Sequence, residues 1–138
     1  MKRLVAFAVV LALWAPGSKV AVDDVAMIPV EGEGAKYWPR WRGPSGQGLA
    51  AGSGYVDTWS DTENVKWKTK LDTPGNGSPI VWANQIFLTT ASTDGARRGI
   101  AAFDRAPGRK LWATYAPDTN TERTNPKNGF APSTPTTD

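Results

Sequence analysis

Histidine and cysteine are missing from this chain, so its chemistry would have to come from carboxylates, amines, hydroxyls and aromatic rings. Their absence removes the usual general base, the commonest zinc ligands, thiol nucleophiles, disulfides and every Ser-His-Asp arrangement from this stretch. Asp57, Asp61 and Glu63 lie close together and could offer oxygen ligands to a hard cation. They lack the D-x-[DN]-x-[DN]-G order and closing Glu of an EF-hand loop, so a solvated turn is the expectation. The glycines of GPSGQGLAAGSG, residues 43–54, are followed by no GK[ST] and no helical pattern, so we expect a flexible connection and no phosphate cradle. Asp104 could be offered as a base, but its place in DRAPGR suits capping of a turn. Asn76-Gly77-Ser78 fits a glycosylation sequon; with Pro79 next, Asn-Gly is equally a turn signal, and no glycan is assigned. No residue is therefore assigned as catalytic, cofactor-binding or metal-binding.

These residues must be positioned by what 138 residues can build, which is one ordinary domain. Hydrophobic residues make up 40% and charged residues 21%, a globular balance that argues against a wholly disordered chain. Lys2 and Arg3 precede an unbroken apolar run over residues 4–15, broken by Pro16, Gly17 and Ser18. A spanning helix needs roughly 20 apolar residues and a signal-peptide core ~7–15, so residues 1–21 are expected to be a signal peptide. Ala15 with Gly17, or Ala21, offers the small-residue end such a peptide needs. The protein is then exported to the periplasm or cell exterior, with no membrane span after cleavage. Cutting after Ala21 removes Lys2, Arg3 and Lys19, so the net charge of +3 falls to zero. Nucleic acid is thereby an unexpected partner, since its binding needs a basic excess or stripe. Lys66, Lys68 and Lys70 alternate in VKWKTKL, which on a strand is one solvated face.

Residues 22–36 mix acids, glycines and a proline without periodicity, as a flexible linker does. From residue 37 onward, short apolar bursts alternate with Gly, Pro, Asn and Asp, and no window carries a sustained helical pattern. Bursts at 65–71, 79–82, 86–92, 99–103 and 110–115 have the length and β-branched or aromatic content of strands. Ala83, Asn84 and Gln85 mark one tight turn and residues 104–109 a second. An all-β meander is predicted. A faint repeat runs through it: VKWKTKL and RKLWATY place Trp67 and Trp112 45 residues apart, and Ser78-Pro79 returns as Thr134-Pro135. A period of ~40–45 residues with four strands per unit suits a β-propeller blade, which needs a neighbour on each face to bury itself.

The stretch NGSPIVWANQIFLTTASTDGARRGIAAFDRAPGRKLWATY resembles one blade of the pyrroloquinoline-quinone-like (PQQ-like) repeat β-propeller family. Ala102-Phe103-Asp104, Gly108, Lys110-Leu111 and Trp112 hold most of that family's ALD-x-x-TG-K-x-x-W signature, with Pro107 where Thr is usual. YWPRWRGPSGQGLA and TWSDTENVKWKTKL look like the opening of a bacterial exported subgroup, and ERTNPKNGFAPSTPTTD resembles the loop and first strand of a next blade. The resemblance covers residues 37–138. It implies a partial propeller, one four-stranded antiparallel blade plus the start of the next, from the N-terminal part of a longer, WD40-like ring. A lone blade leaves unpaired edges and half-buried faces, so this stretch is not expected to be stable by itself.

The resemblance makes Trp67 and Trp112 blade-docking residues, wedged between neighbouring sheets. Trp38, Trp41 and Trp59 lie in the irregular opening and could be a stacking platform for a sugar or a quinone. Interleaved Arg40 and Arg42 favour a closed local cluster with cation–π packing. The segment 116–129 is a polar loop with Pro117, Asp118, Asn120, Glu122, Arg123, Asn125, Lys127 and Asn128. It is open between a partner contact on a propeller rim and a tolerated insertion. The expected function is a non-catalytic binding or assembly scaffold whose partner is a protein or other envelope component. The alternative is part of a PQQ-dependent quinoprotein dehydrogenase, which the resemblance implies would hold the quinone and a calcium ion at the ring centre. A role like the outer-membrane assembly lipoprotein would need a lipidated Cys that is missing here.

Overall fold

The computed structural model describes residues 28–117, 123–125 and 127–138. The expected signal peptide, residues 1–21, and residues 22–27 of the expected linker lie outside them. The architecture is all-β. Four strands, β1 (Ile80–Trp82), β2 (Gln85–Ala91), β3 (Arg98–Asp104) and β4 (Lys110–Tyr115), form one antiparallel sheet in sequence order. A single 3-10 turn, Gly32–Lys36, is the helical element among the described residues.

Alternation along the strands gives the sheet two apolar faces. Across one face Ile80 pairs Phe87, Phe87 pairs Ala102 and Ala102 pairs Trp112. Across the other, Val81 pairs Ile86, and Ile86 pairs Phe103. Ile80, Ala101, Ala102 and Phe103 are buried, and the two alanines let covering chain approach the middle of the sheet closely. Ala102 faces Trp112 and Phe103 faces Lys110, so Leu111 is an extra residue in β4 and forms a bulge. Trp82 pairs Gln85, leaving a two-residue hairpin turn of Ala83 and Asn84. Gln85, expected in the turn, belongs to β2 because its backbone closes that last pair.

The segment 65–71 departs from the expected strand. Among the described residues its backbone makes no ladder and no backbone hydrogen bond. Its side chains nevertheless keep the period of two: Trp67 and Thr69 are half-buried, while Lys66, Lys68 and Lys70 between them are exposed. The segment lies over the Val81–Phe103 face, where Trp67 and Leu71 border a groove of about 300 Å³ with Val81, Ile86, Leu88 and Phe103. It is strand-like chain laid on a face, and among the described residues no strand pairs with it.

The opposite face is covered by residues 131–137, expected as the first strand of a further unit and likewise without a ladder. The Ala131 carbonyl accepts the N–H groups of Asn76 and Gly77, both at 3.1 Å. Thr89 Oγ1 donates to the Ser133 carbonyl at 2.7 Å, and Ser78 N–H donates to Thr134 Oγ1 at 3.0 Å. Gly77 is needed here, since a Cβ at that position would fall 2.2 Å from the Ser133 oxygen. The Asn-Gly pair of the sequon therefore serves as the docking point for the C-terminal segment. Covering is incomplete: Trp112 is 44% exposed, Leu71 43% and Ile100 39%. Full burial of one such side chain is worth about 1.5–3 kcal/mol, so the sheet retains apolar surface that further packing would stabilise.

Candidate functional site

The residues flagged for chemistry are mostly engaged in holding turns. Asp104 Oδ1 accepts the Ala106 N–H at 3.0 Å and the Asn84 Nδ2–H at 3.2 Å, so its carboxylate caps the β3–β4 turn and ties it to the β1–β2 turn. The same turn is clamped from above by the 65–71 segment. Trp67 Nε1 donates to the Arg105 carbonyl at 3.0 Å, and Thr69 Oγ1 donates to the Gly108 carbonyl at 2.6 Å. Gly108 has φ +72°, and a Cβ there would lie 2.3 Å from the Trp67 ring. This explains the Gly at that place of the motif twice over, by backbone conformation and by contact. Trp112 instead packs on Phe87, with ring centroids 6.0 Å apart.

The acidic group does not converge. Asp61 forms an exposed ion pair with Lys68 at 2.6 Å, and Glu63 joins Ser60 in a local turn through its backbone. Among the described residues, no three His, Cys, Asp or Glu side chains are placed to hold a metal ion. Asp72 pairs with Lys110, and that hydrogen bond raises the Lys110 pKa above its ordinary value. Asp94 is held below the ordinary carboxylate value, first by the Ser92 hydroxyl and then by the Ala96 N–H, in the β2–β3 turn.

The tryptophans of the opening separate into two roles. Arg42 stacks on Trp41 at 4.3 Å, whereas Arg40 is spent on carbonyls, donating to Ile28 at 2.5 Å and Pro44 at 2.8 Å. Trp41 and Trp59 remain 55% and 72% exposed. Trp38 is fixed: its backbone bonds Val81 in both directions, at 3.1 and 2.8 Å, and Gly43 abuts its six-membered ring. Beside it Tyr37 tilts against Trp82 with centroids 5.3 Å apart. Tyr37, Trp38 and Tyr55, with Lys36 and Arg105, line a cleft of about 370 Å³. Leu49, Ala50 and Ala51 supply its apolar side.

No protein-family model, curated protein or solved structure matches this chain. Function therefore rests on its own geometry. Trp38 was legible as a candidate from its residue type, but Trp41 and Trp59 do not join it in the cleft. Arg105 was missed. The one signal available was a second Arg inside a capped turn, and nothing in the sequence places that turn beside Trp38. Of the 116–129 loop, residues 118–122 and 126 lie outside the described residues. At its end Phe130 packs on Gly95 and under the Arg98 guanidinium, 5.3 Å away.

Proposed function

We propose that this chain is the opening part of an exported PQQ-like repeat β-propeller that serves as a non-catalytic binding or assembly scaffold in the bacterial envelope. One observation carries the reading. The repeat-equivalent positions Ser78-Pro79 and Thr134-Pro135 lie against each other, joined by the Ser78 N–H to Thr134 Oγ1 bond. On the other face lies 65–71, the repeat equivalent of β4, bonded to the β3–β4 turn. The four-stranded sheet thus has the counterpart of its own fourth strand on one side and of its own first strand on the other. Stacked blades require that order, each sheet burying its faces against copies of itself.

A scaffold is favoured over an enzyme because three of the carboxylates that could act as acid or base are held in turns or ion pairs. Asp104 caps a turn, Asp61 pairs with Lys68, and Asp72 pairs with Lys110. Architecture alone would not choose between them. No helix among the described residues is long and apolar enough to cross a membrane. Three measurements on protein purified from its native envelope test the proposal. Mass spectrometry should find a mature N-terminus near residue 22, optical absorbance should show no bound quinone, and the reading frame should continue through further repeats. A stoichiometric quinone would transfer the protein to the dehydrogenases. An uncleaved N-terminus would defeat export.

A further inference from the structure

We propose that the cleft between the opening segment and the β3–β4 turn binds an acidic sugar, a pyranose bearing a carboxylate. Among the described residues, every charge in its lining is positive: Lys36 and Arg105 border it, and no Asp or Glu does. Neither side chain has a hydrogen-bond or ion-pair partner among the described residues. Arg105 reaches the site only through a turn whose backbone is tied down twice, by its N–H to the Asn84 carbonyl and by its carbonyl to Trp67. The turn thus fixes the backbone from which Arg105 extends, and the planar guanidinium fork suits two parallel bonds to a carboxylate.

The remaining wall sets the rest of the ligand. Tyr37, Trp38 and Tyr55 provide amphipathic ring surface. A pyranose has an apolar C–H face and a hydroxylated rim, so it can rest on one ring while its hydroxyls meet water and the phenols. A flat aromatic acid would need two parallel walls. Here Trp38 is backed by Gly43 and Tyr37 is tilted 45° against Trp82, so each ring has one side committed to protein. The cleft's volume of about 370 Å³ lies within the ~300–1,000 Å³ of small-molecule sites. The site is built from the opening segment, Val81 of β1 and one turn, so it does not depend on the proposed ring.

The test uses the exported protein and two probes of equal length, an oligomer of glucuronic acid and one of glucose, followed by tryptophan fluorescence and calorimetry. Binding of the acidic oligomer with a Kd of ~1 mM or tighter is expected, with the neutral oligomer at least about tenfold weaker. Arg105→Gln and Lys36→Gln each replace an exposed side chain without a described partner, so both variants should fold. Arg105→Gln should weaken acidic-oligomer binding by about tenfold or more and Lys36→Gln by less, with both effects shrinking in high salt. Equal affinity for the two oligomers, no binding up to ~10 mM, or unchanged affinity in both variants would overturn the proposal.

Discussion

Replacing Gly108 with Ala tests whether the β3–β4 turn is locked by the tryptophan above it. Two effects add. Gly108 has φ +72°, a conformation that costs an L-residue ~1–2 kcal/mol, of which ~0.4–1 is returned by the stiffer unfolded chain. The new Cβ would also lie 2.3 Å from Trp67 Cδ2 and Cε3 and 2.9 Å from Thr69 Oγ1. Trp67 must then withdraw, releasing its bond to Arg105, and Thr69 releases Gly108; each bond is worth about 1 kcal/mol. The expected loss is about 3 kcal/mol. Gly48 separates the terms: its φ is +78°, yet a Cβ there meets nothing within 4 Å, so Gly48→Ala should cost no more than about 1 kcal/mol. Urea unfolding followed by tryptophan fluorescence reads both variants through the midpoint at constant slope. Equal destabilisation by the two substitutions would refute the clamp, because only Gly108 carries the contact.

Thr134→Val should strand the part-buried Ser78 N–H and cost about 1–3 kcal/mol. Limited proteolysis should then release residues after 130 earlier than in the wild type or in Thr134→Ser, and identical cleavage would remove the docking argument. Asp94 is depressed in the folded state, so its contribution is present above the unfolded value of ~3.9 and lost as pH falls through the folded value. Thermal scans should therefore show Asp94→Asn less sensitive than wild type below about pH 4; parallel curves would count against this. Ala83 holds φ +49° in the hairpin turn. Ala83→Gly should be neutral or stabilising by up to ~1 kcal/mol, and Ala83→Val destabilising by more than that, read as opposite shifts in Tm.

Patterning reached the elements through side-chain periodicity. β4 was legible with its boundaries, and the other three strands to within a residue or so at each end, because β-branched and aromatic runs stop at turn residues. Segment 65–71 shows the limit of that signal. Alternation of Lys with Val, Trp, Thr and Leu reports which side of the chain is covered, and the structure half-buries Trp67 and Thr69 on that side. It is silent on whether another backbone lies alongside, so an uncovered edge and a paired one read alike. The candidate site divides in the same way. Asp104 could be assigned to its turn because the bond is local, reaching Ala106 two residues on.

Residue order by itself determined the strands, their turns, the need for a positive-φ Gly at 108 within a turn-forming run, and an apolar character on both faces of the sheet. All of these follow from contacts and conformations within a few residues. The tertiary structure decided the rest. It laid two distant segments on opposite faces, spent Arg40 on carbonyls while leaving the Arg105 side chain without a partner among the described residues, and brought Arg105 to Trp38. Such pairings depend on how layers stack, and stacking is set by the summed fit of many side chains, which no local pattern encodes.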